Sequence, residues 1–370
     1  MIIATKIKKV MIKRFFSFLA ATFWGTSLNA GVEPMRVLFI GNSYTHMNSM
    51  PALFEKMAIS KGIKIEVGMS AKSSHTFKMH CNRPEMFEAI RSKKWDYVVL
   101  QGFSRELSYE PSYLDTASVP YFNQIVDSIK SNNACTNVLL YMTWGYKDGF
   151  ADREEVDSYE KMSDAVRNGY KYLSEIYNFP IVPVGDVYRE IRKKTDINLY
   201  EADNQHPTPF GSYAVASTFY SSIFKTSAKN AFPGKLTPED AATIQDIAFN
   251  VVSKNLSKYK LLNNTMKVSN ERTKMGQYFV ECESNYPNSA SVHWNFGDGT
   301  SSNKTKVKHE YKNPGEYWVI LTVDDECGQR IIKRKVKFVA PPPPTPNVQS
   351  KPKVTTYPTK KTNLTVTLPF

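Results

Sequence analysis

Residues 36–45 read Arg-Val-Leu-Phe-Ile-Gly-Asn-Ser-Tyr-Thr (RVLFIGNSYT): an apolar run, then a glycine, then small polar residues. A strand that is apolar throughout is buried on both faces, which is the habit of parallel sheets flanked by helices. The pattern repeats down the chain. Arg36–Ile40, Ile63–Val67, Tyr97–Leu100, Val138–Met142 and Ile181–Val184 read as strands. Between them lie helical stretches near Met50–Lys61, Pro84–Lys93, Pro120–Asn132 and Glu154–Tyr177, and two more follow near Phe210–Phe224 and Pro238–Ser257. Strands alternating with helices predict an α/β domain over residues 34–258, a three-layer α/β/α sandwich around a parallel sheet.

After Tyr259 the period changes to two, in Gln277–Glu281, Ser291–Phe296 and Glu316–Val323, with turn residues between. Residues 262–340 are therefore expected to form a small all-β sandwich. From Pro341 to Phe370 a Pro-, Lys- and Thr-rich tail carries no core-forming pattern.

The net charge of +13 would suit a nucleic-acid partner if it were concentrated on a folded face. It is not. Residues 1–30 contribute +5 and residues 341–370 contribute +4, leaving +4 spread over the remainder. The N-terminal share belongs to a basic segment through Arg14, followed by the apolar run Phe15–Trp24 and a small-residue close at Ser27–Ala30. Those three parts predict a secretory signal peptide over residues 1–30 and hence a secreted, periplasmic or cell-surface protein. Export permits disulfides. Cys81, Cys135, Cys282 and Cys327 allow three pairings; the simplest is within each half of the chain, and free thiols remain an alternative for the first pair.

In a parallel α/β sheet ligands sit beyond the carboxyl ends of the strands. Ser43 lies there, just past the first strand, where its hydroxyl can enter the crevice and its N–H can face a developing oxyanion. Asp203-Asn204-Gln205-His206-Pro207 precedes a later helix. A carboxylate three residues before a histidine can hold Nδ1–H and leave Nε2 free as a base. Each element alone fits a helix cap or a surface histidine; together they predict a nucleophile and its base.

Val37–Met57 (VLFIGNSYTHMNSMPALFEKM) and Leu199–Ala216 (LYEADNQHPTPFGSYAVA) resemble the first and last blocks of SGNH (GDSL-type) hydrolases. Trp95–Gln101, Leu140–Trp144 and Val182–Asp186 resemble the blocks between. The resemblance covers residues 35–225 and implies an SGNH/flavodoxin-like fold with Ser43 as nucleophile, His206 as base and Asp203 orienting it. For the oxyanion hole it implies the N–H of Ser43 and that of Ser74, which stands where the family has glycine. Gln101 is the nearest amide in place of the family's asparagine, with an amide that satisfies loop backbone as the alternative. Trp144 and Tyr146, after the fourth strand, are candidates to line an acyl or sugar pocket, with packing in the core or at its rim as the alternative. His46, His75 and His80 cluster nearby without metal-ligand spacing, so no metal and no cofactor are expected.

Val292–Thr300 (VHWNFGDGT), with His309-Glu310-Tyr311 and Pro314-Gly315-Glu316-Tyr317, resembles the PKD-type, immunoglobulin-like domain. That resemblance implies a fold and, for function, a spacer or a polysaccharide contact. The expectation is a secreted serine esterase deacylating a carbohydrate. Two rivals stand beside it: a non-catalytic surface glycan-binding protein with a degenerate SGNH domain, and a lipid or thioester hydrolase using the same triad.

Overall fold

The computed structural model describes residues 33–261, 267–272, 277–284 and 290–340. The expected signal peptide and tail lie outside the described residues.

The first half of the α/β unit runs β1 (Met35–Gly41), α1 (Ser43–His46), α2 (Met50–Ser60), β2 (Ile65–Ala71), α3 (Phe77–Cys81), α4 (Pro84–Arg91) and β3 (Tyr97–Leu100). It continues with α5 (Pro111–Ala117), α6 (Val119–Asn132), β4 (Asn137–Tyr141), α7 (Tyr159–Tyr177), β5 (Ile181–Val182), α8 (Val184–Lys194), α9 (Pro209–Phe224) and α10 (Pro238–Lys254). The five strands form one sheet in the order β2-β1-β3-β4-β5, every pair parallel. This is the doubly wound order with its switch point between β1 and β3. The α/β fold expected from the sequence is the fold observed.

Packing explains the order. Val37, Leu38, Phe39 and Ile40 of β1 are all but inaccessible, as are Val98, Val99 and Leu100 beside them. Each such side chain contributes roughly 1.5–3 kcal/mol when fully buried, so the central strands anchor the sheet. Phe39 meets Phe54 of α2 and Phe219 of α9 edge to face, fixing two helices against one face.

Two details differ from the sequence reading. The second strand is shifted toward its C-terminal side, and the stretch from Val184 opens a helix rather than ending a strand. Short helices α3 and α5 are additional.

The C-terminal unit holds β6 (Lys267–Arg272), β7 (Tyr278–Glu283), β8 (Ser291–Asn295), β9 (Ser301–Ser302), β10 (Lys306–Tyr311), β11 (Gly315–Asp325) and β12 (Gly328–Phe338). They form two antiparallel sheets, β10-β7-β6 and β12-β11-β8-β9, as expected of an immunoglobulin-like sandwich. Trp294, Val319, Leu321 and Val323 face inward with Val280. Gly297 turns with φ +81°, a conformation glycine adopts without strain.

The cysteines correct the sequence reading. Cys135, in the loop before β4, is bonded to Cys327, at the tip of the β11–β12 hairpin. Cys81 and Cys282 are free. Strand alternation gives the reason: Cys282 points into the sandwich core, whereas Cys327 sits at a turn and faces outward to the α/β unit. The bridge is therefore between the two units, not within each.

Candidate active site

β1 ends at Gly41, and the chain turns at once into α1. A Cβ on Gly41 would lie 2.3 Å from the Thr45 hydroxyl and 2.5 Å from Gln101 Oε1, so only glycine permits this exit. Asn42 caps the helix, its side chain accepting the N–H of Tyr44 at 3.2 Å. Ser43 is thereby the first helical residue, and its backbone N–H has no intrahelical acceptor.

The second part of the site is the turn from Asp203 to His206. Asp203 Oδ1 accepts the backbone N–H of Gln205 at 3.0 Å and of His206 at 2.9 Å. Asn204 takes the left-handed conformation at φ +59°, which Asn tolerates better than most residues. The turn is held from outside as well. Lys147 donates its N–H to Asn204 O at 2.8 Å, Glu201 donates to His206 O at 2.9 Å, and Tyr200 bridges to Pro207. Asn48 Nδ2 donates to Pro207 O at 2.9 Å, tying the nucleophile's own segment to the histidine's.

These supports bring the three residues into line. His206 Nδ1 is 2.5 Å from Asp203 Oδ2, and His206 Nε2 is 2.8 Å from Ser43 Oγ, across 163 positions of sequence. Partial burial raises the pKa of Asp203, but hydrogen bonds from the His206 ring and from two backbone N–H groups outweigh it and hold the pKa below its ordinary value. The carboxylate thus fixes the imidazole tautomer with Nε2 facing the serine.

Among the oxyanion candidates, Ser74 adopts φ +61° in an exposed turn following β2, a backbone conformation expected of glycine. The N–H groups of Ser43 and Ser74 have no hydrogen-bond partner among the described residues. Gln101 does not fit the role expected for it. Its Oε1 accepts Asn42 N–H at 2.7 Å and Thr45 Oγ1 at 3.0 Å, and its Nε2 donates to Gly102 O at 2.6 Å. The side chain is 1% exposed and fully engaged in bracing the turn that carries Ser43.

Trp144 and Tyr146 are both buried, which matches the packing alternative for them. Trp144 lies between Tyr44 and Tyr188, stacked at 4.4 and 4.0 Å, and its Nε1 donates to Gln205 O at 3.1 Å. Tyr44 presents its edge to the His206 ring. This column of aromatics supports the histidine turn from below. Sequence reasoning missed it, although the three aromatics within residues 141–146 were its signal.

Of the nearby histidines, His46 Nε2 pairs with Ser73 Oγ at 2.9 Å, and His75 Nδ1 lies 3.0 Å from Ser73 O. His80 is buried, and its Nε2 has no partner within hydrogen-bond geometry among the described residues. Among the described residues no three His, Cys, Asp or Glu side chains are grouped to hold a metal ion.

Comparison with known proteins follows the same division. A family model for the PKD domain matches residues 273–338. A DUF4886 family protein from Bacteroides uniformis ATCC 8492 superposes with a TM-score of 0.51 at 18% identity, over 60% of this chain and 95% of that one. At that identity the likeness speaks for fold alone. Axe2, an acetylxylan esterase from Geobacillus stearothermophilus, gives a TM-score of 0.38 at 18% identity, over 50% of this chain and 92% of that one, too low to speak for more. A microbial collagenase from Vibrio alginolyticus is 41% identical over 69 residues, which is 18% of this chain and only 8% of that protein. The chain joins an α/β domain with the fold of that DUF4886 family protein to a C-terminal segment that matches the PKD domain model.

Proposed function

We propose that the chain is an exported serine hydrolase that cleaves carboxylic esters, with an acylated carbohydrate as its substrate. One observation carries the reading: the aligned Asp203, His206 and Ser43 side chains at the carboxyl end of β1. In the acylation step His206 Nε2 takes the Ser43 proton as Oγ attacks the ester carbonyl. The N–H groups of Ser43 and Ser74 receive the negative charge that develops on the carbonyl oxygen. Collapse expels the alcohol, which takes the proton back from His206, and leaves Ser43 acylated. Water, deprotonated by the same nitrogen, then releases the acid.

Export is supported by the pattern of residues 1–30 and by the disulfide between Cys135 and Cys327, a bond that persists in oxidising compartments. A carbohydrate substrate is supported by the PKD-type domain beside the α/β unit.

The test is a chromogenic acetyl ester assayed with the protein and with Ser43→Ala, alongside labelling by a fluorophosphonate. Turnover lost in the variant, with the label mapped to Ser43, supports the reading. No turnover across a panel of esters, with no label, sinks it.

A further inference from the structure

Beside the triad lies a cleft of about 480 Å³ that the reaction does not use. Its walls continue the segments that build the active site. Thr76 follows His75, whose carbonyl is 3.5 Å from Asn42 Nδ2; Phe103 follows the Gln101–Gly102 brace; and Phe150 meets Tyr146 edge to face just before the Lys147 anchor of the histidine turn. We propose that this cleft is a subsite for an anionic sugar unit, such as a uronate, adjoining the acylated unit at Ser43. The proposal rests on the glycan-esterase reading for its link to catalysis.

Three features select that ligand. The first is charge. Lys78 and Arg105 line the cleft, Lys78 above the Tyr121 ring and Arg105 at 5.0 Å from the rings of both Phe103 and Phe150. Neither cation has a carboxylate within ion-pair reach among the described residues, so both are seated on aromatic faces with their charge uncompensated. A planar carboxylate is the natural partner of a guanidinium so placed.

The second feature is a platform. Arg153 packs 3.7 Å from the Tyr109 ring centroid, and Tyr109 in turn lies against Tyr113 at 4.2 Å. The stack is closed on its inner side and leaves Tyr113 44% exposed. A rigid ring with one free face and a polar tip suits the apolar face and hydroxyl edge of a pyranose.

The third is a buried carboxyl. Glu106 lines the cleft, is 6% exposed, and accepts Ser118 Oγ at 2.7 Å through one oxygen, while Oε2 has no partner within hydrogen-bond geometry among the described residues, the Phe77 backbone being its nearest donor. Burial pushes its carboxyl up to about 7, against the hydrogen bonds from Ser118 and the Phe77 backbone. In the acid form it adds no negative charge behind the cleft wall, where an ionised carboxylate would repel the anion.

The experiment measures binding on the Ser43→Ala protein, so that it does not depend on turnover. Calorimetry with trigalacturonate and with xylotriose gives tighter binding of the anionic sugar by tenfold or more. Lys78→Gln and Tyr113→Ala, both at exposed side chains, each weaken that binding at least fivefold without shifting the melting temperature. Equal affinity for the two sugars, or no binding of either, overturns the subsite. Hydrolysis of a sugar-free acetyl ester by the unsubstituted protein is measured in parallel. Its absence would defeat the esterase reading, while selective binding of the uronate would still stand.

Discussion

The side chain of Gln101 accepts the backbone N–H of Asn42 at 2.7 Å, so the end of β3 holds the turn at the end of β1 that presents Ser43. The same oxygen takes the Thr45 hydroxyl, and the amide nitrogen closes onto Gly102. Gln101→Leu leaves a buried N–H and a buried hydroxyl without an acceptor, a loss of about 1–3 kcal/mol for each such group. The expected result is a lowered melting temperature, measured by calorimetry, with kcat falling in step with the loss of folded protein. A variant with unchanged melting and a fall of about 10²–10³ in kcat would instead mark Gln101 as a transition-state donor.

Asp203 holds the tautomer that leaves His206 Nε2 facing Ser43. Asp203→Asn is expected to lower kcat on a small ester by about 10²–10⁴ while changing KM little, because the loss falls on the proton transfer rather than on binding. Steady-state kinetics decide it. A change of less than threefold would remove Asp203 from the reaction.

Ser74 occupies a left-handed conformation that costs a residue with a Cβ on the order of 1 kcal/mol. Ser74→Gly keeps the N–H and removes that strain, so it should raise stability slightly and retain or increase kcat. Loss of activity in this variant would show that the Ser74 hydroxyl matters, not its backbone.

Two buried groups titrate against each other. Burial, with the neighbouring His75 and Arg83, lowers His80 to about 4 from 6.5, and burial raises Glu106 to about 7 from 4.5. As pH rises through 4.5–6.5, unfolded chains shed the His80 proton that the folded state never bound, so stability from this site increases. Over the same range the unfolded state has lost the Glu106 proton that the folded state keeps, so stability from that site decreases. Each slope is about 1.4 kcal/mol per pH unit, and the two cancel. Glu106→Gln should therefore gain stability with rising pH relative to the unsubstituted protein, and His80→Gln should lose it. Denaturant melts at pH 4.5 and 6.5 test the pair; parallel profiles for all three proteins would refute the opposition.

Cys327→Ser should release the β-sandwich from the α/β unit without disturbing the triad, because Cys135 lies at the end of the sheet away from Ser43. Limited proteolysis between the units is expected to quicken, with kcat/KM on a small ester within twofold. A parallel fall in activity would couple the bridge to the site.

How much of this was legible in the sequence depends on what kind of force sets each feature. Strands β1 and β3 were readable because burial on both faces demands unbroken apolar runs. The helix at Val184–Lys194 was masked by Pro183 and Gly185, though Val184, Val187, Tyr188 and Ile191 fall on one helical face. Ser43, Asp203 and His206 could be named because short-range spacing and position after a strand constrain them. The role of Gln101 stayed open between two uses because its partners Asn42 and Thr45 are distant in sequence, and no local pattern tells an amide facing a crevice from one spent on a neighbouring loop. The disulfide was unreadable for the same reason: its two halves are 192 residues apart.

That bridge roots the hairpin of the sandwich at the base of β4, a strand flanked by neighbours on both sides of the sheet. Tension on the hairpin of the C-terminal domain is delivered through the bridge to the foot of a buried strand, at the end of the sheet away from Ser43. A load applied at that hairpin therefore enters the α/β unit at the opposite end of the sheet from the Ser43–His206 pair.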